Sequence, residues 1–212
     1  MAWPGVSVRG VGLRLARWLP LLWFRGSESY WKARYRLGGD SGSGSSGPEA
    51  AYKAQVVNEF VRRHGVRSVI EFGCGDGQQL ALATYDTYLG IDVSTDAVET
   101  CRRRFRDDPG KGFSTEYRGE RADLALSLDV LYHLVEDTIY DAYLERLFGA
   151  AELFVVIYST DGEGRTARHV RHRPVARDVH ERFPAFALMD GSVGIPPGAA
   201  RFFMYERSTA TR

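Results

Sequence analysis

Glu71-Phe72-Gly73-Cys74-Gly75-Asp76-Gly77 is the stretch that decides the fold. Ser68 to Phe72 reads as a short strand, with the β-branched, apolar Val69 and Ile70 that a buried strand favours. Glycines after such a strand let the backbone turn sharply and approach a ligand that a side chain would hold away. A helix is expected next, from about Gly77 to Thr84. Tyr88-Leu89-Gly90-Ile91 is a second strand, and it ends at Asp92, 21 residues past Glu71. A carboxylate there can accept two hydrogen bonds from a ribose diol. The glycine spacing is GxGxG, with Gln78 where a dinucleotide fingerprint has its third glycine. Glu71 adds a negative charge beside the turn, which repels a pyrophosphate and suits a cationic ligand.

Outward from this stretch, strands and helices alternate. Ser94 can cap a helix that carries Ala97, Val98, Cys101 and Phe105 on one face. A weak strand is expected near Phe113 to Tyr117, an apolar one at Leu124 to Leu128, and another at Leu153 to Tyr158. Ile139, Tyr143, Leu144, Leu147 and Phe148 mark the helix between the last two. Strands apolar on both faces predict an α/β fold: a mostly parallel sheet with helices on both faces. Ala200 to Tyr205 reads as a closing antiparallel edge strand. Upstream, residues 38–47 read GGDSGSGSSG, which neither helix nor strand forms cheaply. Pro48 then opens a helix through Tyr52, Val56, Val57, Phe60 and Val61 that stops at Gly65. The chain divides into an N-terminal basic arm with a glycine-rich lid, residues 1–47, and a main domain, residues 48–212.

A length of 212 residues fits one domain with an appendage. Its net charge of +1 argues against a protein that wraps nucleic acid. Cys74 and Cys101 are too few for a disulfide scaffold and fit a reducing compartment, so a cytoplasmic location is expected. No apolar run approaches the ~20 residues of a spanning helix. Residues 1–37 hold Arg9, Arg14, Arg17, Arg25, Lys32, Arg34 and Arg36 against Glu28 alone, around the apolar block Trp18 to Phe24. Such an arm can fold on its own domain, rest on an anionic membrane or pack on a second subunit. A homodimer that covers it is the expectation.

Together, EFGCGDG and YLGIDVS resemble the first and second motifs of the class I S-adenosylmethionine-dependent methyltransferases, over residues 48–160. The resemblance implies S-adenosylmethionine as cofactor. Glu71, Gly73, Gly75 and Gly77 would form the cofactor turn, and Asp92 with Val93 the ribose end. A narrower resemblance, which reaches back to residue 28, implies that Tyr30, Trp31, Arg34 and Tyr35 would fold over it, since aromatic faces suit a sulfonium or an adenine.

The class I resemblance implies that Leu128 to Asp137, at the carboxyl end of the fourth strand, would lie beside the sulfonium. A hydroxyl is a poor nucleophile, and a positioned base contributes typically ~10²–10⁴-fold. His133 is the candidate base, with Asp129 four residues earlier to orient its imidazole or hold a substrate hydroxyl. Asp129, Glu136 and Asp137 are oxygen donors close enough in sequence for Mg²⁺, although Asp137 also stands where a helix cap is favoured. Tyr158 ends the next strand on the same rim, and His169, Arg171 and Arg173 follow in a loop able to bind anions or sugar hydroxyls.

The narrower resemblance extends over residues 28–205. YWKARYRLGGDSGSGSSG, LSLDVLYHLVED and IYST with HVRHR look like the small bacterial sugar O-methyltransferases of polysaccharide synthesis, of the mycobacterial methylmannose type. This implies a carbohydrate acceptor, a mannoside or short mannooligosaccharide, and adds weight to Mg²⁺. The chain departs from that group at Ser46, where an aromatic residue is usual. A phenolic or lipid acceptor and a non-catalytic binding subunit are the alternatives. The Asn/Asp-Pro-Pro-aromatic and Pro-Cys motifs of nucleic-acid methyltransferases do not occur, so no nucleic-acid partner is expected.

Overall fold

The computed structural model describes residues 24–191 and 199–208; most of the basic arm, including the block from Trp18 to Trp23, lies outside them. The chain opens with helix α1 (Ser27–Arg36) and helix α2 (Gly47–His64). There follow β1 (Ser68–Phe72), β2 (Thr87–Ile91), α3 (Thr95–Arg104), β3 (Lys111–Ser114), β4 (Ala122–Leu128), α4 (Asp137–Ala150) and β5 (Ala151–Thr160). After these come a small hairpin, β6 (Gly164–Ala167) and β7 (Val170–His172), then α5 (Val175–Arg182), β8 (Phe186–Gly191) and β9 (Ala200–Arg207).

The seven-stranded sheet runs β3-β2-β1-β4-β5-β9-β8. The strands from β3 to β5 are all parallel, and β9 lies antiparallel between β5 and β8. The expected mixed sheet is present, with the antiparallel strand one place in from the edge. Both faces are covered, as parallel strands require. On one face Tyr140, Leu144, Leu147 and Phe148 of α4 and Val175 and Val179 of α5 pack on Ile70, Ala125 and Val155. On the other, Val57, Phe60 and Val61 of α2 and Val98 and Cys101 of α3 pack on Val69, Leu124 and Val156. Apolar side chains on alternate positions of one strand thus feed two cores.

Local chemistry sets the ends of these elements. Ser94 caps α3 by accepting from the Ala97 N–H, as its sequence position implied. Gly65 closes α2 in the left-handed conformation. The helix expected from Gly77 to Thr84 is a turn with a single 3₁₀ element at Leu80–Leu82. Asn58 of α2 stops it: its amide donates to the Leu82 carbonyl and its carbonyl accepts from the Thr84 N–H. The weak third strand ends at Ser114 instead of Tyr117, where the Ser114 hydroxyl folds back onto the Glu116 backbone. The stretch around Arg171, expected as a loop, is β7 of the hairpin.

Leu144 is fully buried on α4. Leu144→Ala should cost about 2–5 kcal/mol of stability in a denaturant titration; a loss under about 1 kcal/mol would mean that α4 is not docked as described.

Candidate cofactor and methyl-transfer site

The carboxyl ends of β1, β2, β4 and β5 meet below a roof made by α1 and the glycine-rich segment. Gly73, Gly75 and Gly77 all have positive φ, at 81°, 58° and 75°. Left-handed backbone costs an L side chain ~1–2 kcal/mol, so the three glycines are a conformational requirement. The turn is fixed to β2. The Gly73 N–H donates to the Ile91 carbonyl at 2.7 Å, and the Gly75 N–H donates to Asp92 Oδ2 at 3.0 Å. Asp92 Oδ1 accepts from the Ser94 N–H at 2.9 Å. A carboxylate has about four lone-pair sites, so these bonds orient Asp92 and leave acceptor capacity for a ligand. Burial raises the Asp92 pKa, and the two backbone bonds oppose that shift.

The roof is pinned at three places. Glu136 accepts from the Ser27 N–H at 2.9 Å and the Ser27 hydroxyl at 2.6 Å, which holds the start of α1 to the rim. Arg34 Nε donates to the Asp40 carbonyl at 2.6 Å, and Nη2 to the Asp40 carboxylate at 2.9 Å, which folds the chain back after α1. The Ser41 hydroxyl donates to Asp76 Oδ1 at 2.8 Å, accepts from the Asp76 N–H and bonds the Tyr35 hydroxyl at 2.9 Å. The lid therefore closes directly on the glycine turn.

Between lid and sheet lies a cavity of about 360 Å³, lined among others by Trp31, Tyr35, Glu71, Asp92, Asp129 and His133. This is the size of a small-molecule site. Glu71 is 3% exposed and accepts from the Tyr88 hydroxyl at 2.5 Å. Burial pushes its carboxyl up to about 7, against the Tyr88 bond and the positive charge of Lys53. Val93 also lines the cavity, at its solvent side.

His133 lies in a 3₁₀ turn (Leu131–His133) after β4. Its Nδ1 is 3.0 Å from the His169 carbonyl. A carbonyl only accepts, so Nδ1 carries the proton and Nε2 keeps its lone pair. The ring sits edge-on to Trp31 at 5.0 Å and stacks on His169 at 5.6 Å. Burial pushes its pKa down to about 4, which leaves it neutral near pH 7.

Several expected roles move. Asp129 does not orient the imidazole; the His169 carbonyl does. Asp129 instead accepts from the Tyr132 hydroxyl at 2.8 Å and from the Lys53 ammonium. Asp129, Glu136 and Asp137 do not form a metal site. Glu136 is committed to Ser27, and Asp137 pairs with Arg173 at 2.6 Å and Arg171 at 3.0 Å. Among the described residues no group of three His, Cys, Asp or Glu side chains is placed to hold a metal ion. The donor set does not fit Mg²⁺. Arg171 and Arg173 also donate to the Val135 and Leu134 carbonyls. They brace the loop after β4.

Tyr30 and Arg34 hold the lid from inside, while Trp31 and Tyr35 face the cavity. Tyr158 packs on Phe202 and under the Lys53 ammonium. Lys53 itself escaped the sequence reading. Its position on the apolar face of α2, between Ala50, Ala54 and Val57, was the available signal. Gly75→Ala should lose about 1–2 kcal/mol of stability, because a Cβ there also meets Ser41 and Tyr35. An unchanged thermal midpoint would show that the lid does not rest on the turn.

Residues 70–147 match the family model of the methyltransferase domain. No curated protein matches the sequence. Among solved structures, the chain is similar to the N-methyltransferase NodS from Bradyrhizobium japonicum WM9 with bound S-adenosyl-L-homocysteine. The TM-score is 0.65 at 15% identity, covering 87% of this chain and 100% of that one. It is also similar to magnesium protoporphyrin IX methyltransferase (ChlM) from Synechocystis PCC 6803 with bound SAM, with TM-score 0.60, 16% identity, and 98% and 100% coverage. An O-methyltransferase family protein from Burkholderia thailandensis gives TM-score 0.61, 16% identity, and 87% and 60% coverage. The methyltransferase-domain match thus covers residues 70–147, and the fold of the chain is the one these solved methyltransferases share.

Proposed function

We propose that the protein transfers the methyl group of S-adenosylmethionine to a hydroxyl oxygen, and that the acceptor is a carbohydrate. The observation that carries the oxygen assignment is His133, a neutral imidazole whose Nδ1 is tied to the His169 carbonyl and whose ring lines the cavity. The positive-φ glycine turn, the oriented Asp92 carboxylate and the buried Glu71 fit the cofactor's ribose and positive end. When bound, the cofactor supplies a methyl group on a sulfonium, open to in-line displacement.

His133 Nε2 takes the proton from the acceptor hydroxyl as the oxygen attacks the methyl carbon. Trp31 and Tyr35 wall the cavity and keep water from the reacting atoms. The carbohydrate assignment is supported by the likeness of the YWKARYRLGG, LSLDVLYHLVED and HVRHR stretches to the sugar O-methyltransferases, and by the aromatic walls, which suit the C–H faces of a sugar.

A radiolabelled methyl-transfer screen over mannosides, mannooligosaccharides, phenols and amines tests the acceptor class. Label on a sugar oxygen, located by NMR, is the expected result; label on nitrogen alone would refute it. His133→Ala should lower kcat by about 10²–10⁴-fold and leave S-adenosylhomocysteine affinity unchanged. Activity retained within a factor of about two would exclude His133 as the base.

The acid side of the pH profile follows from the same group. A base must be unprotonated, so kcat should fall only as the pH approaches about 4, with no limb near the ordinary histidine value of 6.5. Glu71 predicts a second dependence. As the pH rises through about 7 it gains a negative charge, which favours the cationic S-adenosylmethionine over neutral-sulfur S-adenosylhomocysteine. Calorimetry on either side of that pH should show the ratio of the two affinities rising, and a constant ratio would place Glu71 too far from the sulfonium to act.

A further inference from the structure

Lys53 reaches from α2 to the carboxyl end of β4, and its side chain is 1% exposed. Its ammonium donates to Asp129 Oδ2 and lies 5.3 Å from the centre of the Tyr158 ring. An ammonium has three protons. Among the described residues Asp129 is the one hydrogen-bond acceptor that Nζ reaches, although Lys53 lines the cavity. A buried charge is costly unless its hydrogen bonds are made, so the spare protons call for a ligand oxygen.

Asp129 offers the complement. Its φ of 60° makes it the one non-glycine residue with positive φ among the described residues. Its N–H donates to the Tyr158 carbonyl at 2.9 Å, which fixes this backbone at the β4–β5 edge. Of about four lone-pair sites on the carboxylate, the Tyr132 hydroxyl and Lys53 take two. The side chain is 17% exposed and lines the same cavity. The lid passes overhead as the 3₁₀ turn Ser43–Ser45, where a Cβ on Gly44 would strike Asp129 Oδ2 and approach Lys53 Nζ to 3.7 Å. A side chain at position 44 would therefore force the Asp129 carboxylate to shift.

We propose that Lys53 and Asp129 are the acceptor-binding pair, and that they select a neutral polyol by holding two of its oxygens. The inference rests on the methyltransfer reading and adds the group that recognises the acceptor. A hydroxyl both donates and accepts, and the pair offers one partner of each kind with no net charge. Its place in the sheet favours the acceptor side. Asp92 ends β2, whereas the pair ends β4 beside β5, two strands and so roughly 10 Å away. His133, the proposed proton acceptor, is four residues further along the same loop. Positive φ outside glycine is costly backbone, which persists where the surroundings enforce it.

The test uses the full chain saturated with S-adenosylhomocysteine and titrated with methyl α-mannoside, glycerol and cyclohexanol. The buried Lys53 ammonium is followed by ¹⁵N NMR. The polyols should shift the Lys53 signal and cyclohexanol should not. Lys53→Met and Asp129→Asn should each weaken methyl α-mannoside binding at least about tenfold, with Lys53→Arg intermediate, and S-adenosylhomocysteine should bind all variants within about threefold of the wild type. If Lys53→Met does not fold, the wild-type NMR titration decides. A tenfold loss of S-adenosylhomocysteine affinity with unchanged polyol binding would overturn the proposal and give the pair to the cofactor's own ammonium and carboxylate. A silent Lys53 signal with every polyol would also overturn it. Failure of the wild type to bind S-adenosylhomocysteine would instead sink the cofactor reading beneath it.

Discussion

The hydrogen bond from the Gly75 N–H to the Asp92 carboxylate, 3.0 Å long, joins the two strand ends on which the site is built. It needs positive φ at the glycines of the turn, and it needs β1 and β2 side by side and parallel, so that both carboxyl ends point the same way. That parallel pairing in turn needs helices on both faces, because strands buried on both sides have no solvated face to spare. The two-sided core and the ligand crevice are therefore one constraint seen at two scales.

The charges around the cavity follow a simple pattern. Glu71, Asp92 and Asp129 face it from β1, β2 and β4, and Lys53 answers from α2. The balance is negative at Glu71 and Asp92, where the proposed sulfonium would sit, and neutral where Lys53 meets Asp129. The arginines expected to bind anions also have structural partners. Arg171 and Arg173 carry carbonyl bonds and the Asp137 ion pair, and so keep the His133 loop in place from behind. Water exclusion comes from the lid, which Glu136 anchors at one end and Asp76 at the other.

The parts of the fold legible in the sequence were those governed by local pattern. The glycine turn, the acidic end of β2 and the apolar runs of β4 and β5 signal themselves by spacing and composition. The site's finer wiring was not legible, because it joins residues far apart in the chain. Glu136 to Ser27 spans 109 positions and Lys53 to Asp129 spans 76. A carboxylate cluster that looks like a metal site in sequence is dispersed once each member meets its distant partner. The helix expected after Gly77 failed for a similar reason: Asn58, from another element, claims its backbone groups. Lys53 was hidden because a lysine in an amphipathic helix ordinarily faces solvent, whereas here it lies on the buried face.

The most direct measurement is calorimetric titration of the full chain with S-adenosylhomocysteine, beside the same titration of Asp92→Ala. The account predicts one-to-one micromolar binding to the wild type and loss of at least about tenfold in the variant, since the ribose would lose its charged acceptor. Equal affinity of the two proteins, or no heat with either, would contradict it.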